Sequence, residues 1–281
     1  MRFWCVAALL VLAASVSAAE PRKLTSGGRL KRDPLFVDGG RVLIYTVQET
    51  SPRSVLMRLT LEERGPSRIH AESSLPEMKP SSSSDGKRFA YLKITGNDMS
   101  QVAVDDVLTQ QTIALKFTRP APWDPVITPD GQSVVNSLDG QLVKKPIDGG
   151  EQIALTKSSG LNNWPAISSD GKQIAFGSSR RGDYDIYTMT VDGTDLTQIT
   201  DERRLDARPA WSPDGQQIAF TSARDGNYEI YVMHSDGSRV RRVTNHPERD
   251  DFVTWHPDGK RVAYVSEREG KFDVYLVDVP Q

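Results

Sequence analysis

The feature that most limits how this chain can fold is a short phrase that recurs six times. Its clearest copy is Pro209-Ala-Trp-Ser-Pro-Asp-Gly215, and every copy closes on an Asp-Gly pair or, in the first, on Gly-Gly. The closing glycines are Gly40, Gly86, Gly131, Gly171, Gly215 and Gly259. Neighbouring glycines lie 40 to 46 residues apart. That period matches a four-stranded propeller blade of about 40–45 residues and excludes helical repeats of about 34 residues.

Each repeat contains the residues for three tight turns between four strands. Pro presets φ, while Asp and Gly suit the corner, so the Pro-Asp-Gly that ends at Gly215 would join the inner strand to the next. A second hairpin is expected at Arg224-Asp-Gly-Asn227 and a third turn at Asp236-Gly237. The segments between these turns are rich in Ile, Val, Tyr and Thr, which is typical of strands. The sequence therefore predicts six up-and-down blades, each a four-stranded antiparallel sheet.

The last repeat lacks a fourth strand, because the chain stops soon after the segment 272–278. Near the other end, residues 22–25 resemble the fourth-strand phrase Thr197-Gln-Ile-Thr200. We therefore expect residues 21–25 to complete the last blade and close the ring, which would remove two open sheet edges. Residues 20–281 would then form one all-β domain, a six-bladed β-propeller closed by an N-terminal strand.

The first nineteen residues have the pattern of an export signal. Arg2 supplies a positive charge, residues 6–16 form an apolar run, and residues 17–19 are small, which suits cleavage. An N-terminal membrane anchor is the alternative, but this run is shorter than the roughly 20 residues needed to cross a bilayer. We therefore predict a signal peptide over residues 1–19, no membrane span after its cleavage, and a periplasmic or secreted protein.

Charge and cysteine content argue against several functions. The chain has 35 basic and 37 acidic residues and a net charge of -2, so it lacks the basic excess of a dedicated nucleic-acid binder. Its only cysteine, Cys5, lies in the predicted signal, so the mature protein would have no disulfide and no thiolate-bound zinc. We expect a monomer that uses no cofactor and binds no nucleic acid.

The C-terminal repeats resemble the WD-like repeats of the TolB propeller family. The phrases that carry the resemblance are Trp211-Ser-Pro-Asp-Gly215, Ile218-Ala-Phe220, Arg224-Asp-Gly226 and Glu229-Ile-Tyr231. It is close over residues 154–278, moderate over 79–150 and weak before that, and it covers only the propeller part of TolB. TolB is a periplasmic component of the Tol–Pal cell-envelope system. The resemblance thus implies a periplasmic propeller that acts as a non-catalytic binding module.

No motif in the sequence points to catalysis. A nucleophile elbow would read Gly-x-Ser-x-Gly, and the nearest phrase, Phe176-Gly-Ser-Ser-Arg180, lacks the second glycine. The histidines form no His-x-x-x-His or His-x-His pair, and the acidic loops lack a ladder of calcium ligands. We therefore predict no catalytic and no metal-binding residues. Related polysaccharide lyases assemble ligands from several blades around the axis, so a carbohydrate-active enzyme or another hydrolase-related propeller is the alternative.

Residues that recur at one offset in the strongest repeats are predicted to serve the scaffold. The basic members are Arg180, Arg224 and Arg268, nine residues after their glycines. The acidic members are Asp185, Glu229 and Asp273, fourteen residues after them. These equal offsets predict a cross-strand ion pair in each hairpin. The aromatic members, expected in the core or between blades, are Tyr187, Tyr231, Tyr275, Trp211 and Trp255.

Positions that differ between repeats but share one place in the fold are better candidates for function. The residue before the repeat proline, at the entrance of the inner strand, is such a position. These residues are Asp33, Lys79, Asp124, Trp164, Arg208 and Phe252. Mixed charges and aromatic rings at an axial mouth suit a protein or peptide partner in the cell envelope, because aromatic residues and arginine dominate interface energies. The rival hypotheses are an enzyme and a structural spacer without a pocket.

Overall fold

The computed structural model describes residues 20–63, 65–96, 99–117 and 121–280. These residues form 24 strands and one 3₁₀ turn, Asp38–Gly40, and the strands build six four-stranded antiparallel sheets. The fold is the predicted six-bladed β-propeller. The predicted signal peptide, residues 1–19, lies outside the described residues. The division of the chain into a signal and one domain over residues 20–281 stays a prediction.

The first three blades follow one another along the chain, each from its inner to its outer strand. Blade one contains β2 (Lys31–Val37), β3 (Val42–Gln48), β4 (Ser54–Thr60) and β5 (Ser67–Arg68). Blade two contains β6 (Glu77–Ser82), β7 (Arg88–Gly96), β8 (Met99–Asp106) and β9 (Gln111–Leu115). Blade three contains β10 (Trp123–Ile127), β11 (Ser133–Leu138), β12 (Gln141–Pro146) and β13 (Ile153–Ala154).

The last three blades repeat this order, and the sixth also takes the first strand of the chain. Blade four contains β14 (Asn162–Ile167), β15 (Gln173–Ser178), β16 (Asp185–Thr190) and β17 (Thr197–Gln198). Blade five contains β18 (Asp206–Trp211), β19 (Gln217–Ser222), β20 (Glu229–His234) and β21 (Arg241–Arg242). Blade six contains β22 (Asp250–Trp255), β23 (Arg261–Arg268), β24 (Lys271–Asp278) and β1 (Arg22–Lys23).

The ring closes where β1 joins the C-terminal strand. β1 runs antiparallel to β24, with Lys23 opposite Tyr275. The Leu24 N–H then donates a hydrogen bond of 2.8 Å to the Val274 carbonyl. The prediction that residues 21–25 complete the last blade is confirmed.

The Pro-Asp-Gly turns are held by local hydrogen bonds. In blade five the Ser212 hydroxyl donates to Oδ1 of Asp214 at 2.6 Å. The same carboxylate oxygen also accepts a hydrogen bond from the Gln216 N–H at 3.0 Å. These hydrogen bonds lower the pKa of Asp214. Gly215 follows with a φ of 70°, which glycine adopts without steric cost. These turns lie at one end of the propeller, and the entrances of the inner strands lie at the other.

The recurring aromatic residues pack as predicted. Each of the three tyrosines belongs to a buried cluster that includes the preceding blade, and Tyr231, for example, packs with Ala175 and Ile186. Trp255 is buried and Trp211 is partly buried. Each indole N–H donates a 3.1 Å hydrogen bond to a backbone carbonyl of the preceding blade. The two tryptophans therefore connect neighbouring blades.

The prediction of an ion pair across each hairpin is wrong. In blade five, Glu229 lies opposite Ser222 at the end of the ladder, whereas Arg224 lies beyond it in the turn. Arg224 instead binds the fully buried Asp206 of the inner strand, with 2.9 Å between nitrogen and oxygen. Glu229 points into the seam with the next blade and is bound at 2.9 Å by Arg242 of the outer strand.

Blades four and six also lack the predicted ion pair across the hairpin. Arg180 stacks over the Tyr187 ring at 4.5 Å, and Arg268 stacks over the Tyr275 ring at 4.2 Å. Asp273 binds Lys23 and Lys31 instead of the arginine of its own hairpin. Equal spacing therefore identified equivalent positions, but it did not identify their partners.

Candidate binding site at the axial mouth

The six predicted residues line one cavity of about 140 Å³ at the mouth of the axial channel. Each has left-handed backbone geometry, with φ between 50° and 57°. In every inner strand the pairing register slips at this residue and the next, which forms a β-bulge. A non-glycine residue in this region costs about 1 kcal/mol or more, and a bulge redirects a side chain. One side chain per blade thus reaches the mouth.

One half of the mouth is an ion cluster. The ammonium of Lys79 lies 2.6 Å from an oxygen of Asp124 and 3.6 Å from an oxygen of Asp33. The Thr46 hydroxyl also donates to Asp33, at 3.1 Å. Burial by itself would lower the pKa of Lys79, but the two carboxylates outweigh it and raise that pKa. This half therefore holds a lysine whose positive charge is stabilised by two acidic side chains.

The other half is an aromatic and arginine stack. The guanidinium of Arg208 lies 4.8 Å from the ring centre of Trp164 and 4.6 Å from that of Phe252. One of its terminal nitrogens is 3.3 Å from Asp251. Its Nε is buried and has no hydrogen-bond acceptor within the described part of the chain. Stacking of this kind is worth roughly 0.5–2 kcal/mol and holds the guanidinium in place.

Trp164 joins the two halves. Its backbone N–H donates to the Asp124 carboxylate at 3.2 Å. Its ring packs on Tyr184, with 4.9 Å between the ring centres. The ring also lies against Gly177, where an added Cβ would be 2.8 Å from Cε3 of the indole. The glycine therefore provides the space that the tryptophan ring occupies.

The comparison with family models decides the classification of this fold. The model described as TolB beta propeller domain matches residues 66–200 and 137–281, which together are well over half of the chain. This chain belongs to the TolB β-propeller family.

Solved structures share the TolB-type fold. TolB from Acinetobacter baumannii has a TM-score of 0.72 and 19% identity, over 86% of this chain and 65% of that one. Putative TolB from Agrobacterium tumefaciens has a TM-score of 0.70 and 22% identity, over 92% of this chain and 93% of that one. An oligogalacturonate lyase in complex with manganese has a TM-score of 0.68 and 16% identity, over 92% and 79%. At such identities the likeness shows the fold alone.

This chain spans less than two thirds of the length of the Acinetobacter TolB. The search of curated proteins gave no match.

Two side chains at the mouth of this TolB-family propeller were not singled out by the sequence. Asp251 accepts hydrogen bonds from Arg208, from the Thr221 hydroxyl at 2.8 Å and from the Phe252 N–H at 2.8 Å. Trp123 is 41% exposed, and its ring centre lies 5.8 Å from the Lys79 ammonium. Both directly precede a predicted residue. The sequence signal was that this preceding position also differs in every repeat.

Exposed apolar side chains extend the TolB-type mouth outwards over blades two to four. They lie at the inner-strand entrances and in the hairpins at the same end of the propeller. They are Leu75, Met99, Trp123 and Leu161, which are 36%, 49%, 41% and 52% exposed.

The histidines do not gather at this site. His70 lies in the seam between blades one and two, 2.6 Å from Glu77 and 2.8 Å from Asp105. His256 lies at the opposite end, in the turn with Asp258. Within the described ranges, no group of three or more His, Cys, Asp or Glu side chains is arranged to hold a metal ion. None of the helices in those ranges could cross a membrane.

Proposed function

We propose that the axial mouth of this propeller binds a protein or peptide partner in the cell envelope and that the protein acts there without catalysis. The observation that carries the proposal is the convergence of the six divergent residues on one cavity, with Arg208 held between Trp164 and Phe252. Repeated positions build the scaffold, so a surface made from the positions that differ is the natural place for specificity.

The geometry suits binding because the side chains are already ordered. Arginine and aromatic residues contribute most of the free energy in protein interfaces. Immobilising a flexible side chain on binding costs about 0.5–1.5 kcal/mol. At this mouth the stack on Arg208 and the ion cluster on Lys79 hold the side chains before a partner arrives.

The periplasmic or secreted location rests on the pattern of residues 1–19 and on the TolB resemblance. We further propose that the protein is a monomer that uses no cofactor and binds no nucleic acid.

The test is capture of partners from the cell envelope with the tagged protein, followed by mass spectrometry. Trp164→Ala and Arg208→Ala should each weaken the capture of partners that the wild type retains, while both variants remain folded and unfold cooperatively on heating. Lys172→Ala is the matched control, because its side chain is 80% exposed at the opposite end of the propeller. Equal capture by all four proteins would refute the proposal.

A carbohydrate-active enzyme is the alternative, suggested by the structural likeness to an oligogalacturonate lyase. The cavity residues that could act as a base are Lys79, Asp33 and Asp124. The two carboxylates raise the pKa of Lys79, and both are themselves paired with its ammonium. We therefore expect no cleavage of oligogalacturonate, with or without manganese, when unsaturated products are followed by ultraviolet absorbance. Cleavage that Lys79→Met abolishes would favour the enzyme instead.

A further inference from the structure

We infer that a groove beside the mouth, over the seam between blades six and one, binds an acidic stretch of an extended peptide segment of the partner. This inference rests on the proposed function, since it specifies the chemistry of the partner. The groove shares the lining residues Arg208 and Phe252 with the axial cavity, so the two lie side by side. A segment seated at the mouth could therefore run outwards along the seam.

The charge of the groove is predominantly positive. Its basic lining residues are Lys31, Arg32, Arg208 and Arg249. The only carboxylate among its lining residues is Asp251. Lys31 is buried against Asp273 at 2.8 Å and shares that carboxylate with Lys23, so the groove presents three guanidinium groups against one carboxylate. A ligand of negative charge would balance them.

Asp251 positions two of these arginines without satisfying them. One oxygen accepts from Arg208, and the other accepts from Nε of Arg249 at 3.1 Å. The guanidinium of Arg249 also lies over the ring of Tyr228, at 4.6 Å. Each guanidinium has five N–H donors, so donors remain on both after this one carboxylate is shared.

Unused donors in the groove indicate where the ligand's carboxylates would bind. Nε of Arg208 is buried with no acceptor in the described ranges. The groove also contains Arg32, which is partly buried. Arg32 makes no side-chain hydrogen bond or ion pair to any residue that the structure describes. A donor that is shielded from water and has no acceptor is unfavourable, and a ligand carboxylate would satisfy it.

The rest of the lining is apolar, which distinguishes a peptide from a simple anion. Phe252, Val265 and Phe272 contribute to the groove. Successive side chains of an extended segment point to opposite sides. Acidic side chains could therefore face the arginines while alternate apolar ones pack on these residues. The chain lacks the basic excess with which nucleic-acid binders contact many phosphates, and three guanidinium groups suit a short acidic protein segment instead.

The test is selection of binders from a random peptide library displayed on phage, with the purified full chain as the target. We expect the selected peptides to be enriched in Asp and Glu next to apolar residues. We also expect the affinity of a selected peptide to fall about tenfold with Arg32→Gln, the loss of one charge-assisted hydrogen bond. It should fall similarly with Arg249→Gln and stay unchanged with Lys172→Gln.

The other outcomes separate this inference from the proposed function. Peptides that require Trp164 but lack acidic residues and tolerate Arg32→Gln would overturn the groove and leave the proposed function standing. Peptides that bind both Trp164→Ala and Arg32→Gln as well as they bind the wild type would overturn both. A labelled single-stranded oligonucleotide that displaces the selected peptide, and depends equally on Arg32, would overturn the choice of a protein segment.

Discussion

Thr25 donates a hydrogen bond of 3.0 Å to the carboxylate of Asp273, although 248 positions of sequence separate them. The same hydroxyl accepts the backbone N–H of Val274 at 2.9 Å. Lys23 of β1 and Lys31 of β2 bind that carboxylate at 2.7 and 2.8 Å, so these contacts join both the N-terminal strand and the first blade to the last blade. Asp273 is almost fully buried, so closure of the ring depends on these few polar groups.

Replacing Thr25 by valine should weaken ring closure. The change keeps the shape but leaves the Val274 N–H without an acceptor and removes one donor from Asp273. We expect a loss of about 1–3 kcal/mol in the free energy of unfolding, measured by urea titration. Ser26→Ala, at the exposed neighbouring position, is the control and should have little effect. Equal stability of the two variants would show that closure does not depend on this hydroxyl.

Replacing Gly177 by alanine should displace the ring of Trp164. The new methyl group would stand 2.8 Å from Cε3 of the indole, so the ring must shift out of its place. Overpacking of this kind costs roughly 1–3 kcal/mol. The control is a double-mutant cycle, because in a Trp164→Ala background the same substitution has nothing to displace. A loss of stability that is identical in both backgrounds would contradict the close contact between Gly177 and the Trp164 ring.

Asp250 should make the protein less stable at neutral than at mildly acidic pH. Burial raises its pKa to about 6, with the nearby Glu229 adding to the shift, and both its oxygens lack hydrogen-bond partners among the described residues. The folded state therefore takes up a proton before the unfolded state does. The ionised carboxylate therefore lowers the free energy of unfolding. This destabilisation is absent below about pH 4 and complete above about pH 6.

Asp250→Asn should therefore stabilise the protein at pH 7.5 by up to about 3 kcal/mol, and hardly at all at pH 4. Asn162 already occupies the equivalent place in blade four, opposite Ser178 as Asp250 is opposite Ser266. Asp206→Asn is the matched comparison and should gain less, because it removes the partner of Arg224. A gain in stability for Asp250→Asn that is the same at both pH values would contradict the claim that ionisation of Asp250 destabilises the protein.

His70 should stabilise the seam between blades one and two in its charged form. Burial opposes that charge, but hydrogen bonds to Asp105 and Glu77 outweigh it and raise the pKa to about 9. The contribution is complete below the unfolded pKa of about 6.5 and is lost as the pH rises through 9. Wild-type stability should therefore fall between pH 6.5 and 9 more steeply than that of His70→Gln.

The control for this titration is His234→Gln. His234 makes no ion pair with the part of the chain that the structure describes, so its replacement should leave the alkaline fall unchanged. Urea titrations at four pH values between 6 and 9.5 would measure both variants. Parallel curves of unfolding free energy against pH for the wild type and His70→Gln would contradict a stabilising contact of charged His70 with Glu77 and Asp105.

Much of the site was predictable because each candidate occupies the same place in its repeat. Asp33 and Phe252 share no chemistry, yet both are the third residue of their inner strand, and both line the cavity. Their left-handed backbone was not predictable, because five of the six precede a proline, which disfavours helical geometry at the residue before it. The partners of Glu229 and Arg224 were also missed, because register and burial decide which charges meet.

The sequence alone determined the blade number, the turns, the closing strand and the positions that reach the mouth. These follow from local chemistry repeated at a fixed period, which neighbouring blades must bury together. Only the tertiary structure decided that Arg208 lies between Trp164 and Phe252, that Lys79 joins Asp33 and Asp124, and that Asp251 belongs to the site. Those contacts join residues more than 40 positions apart, and the packing of neighbouring blades brings them within reach.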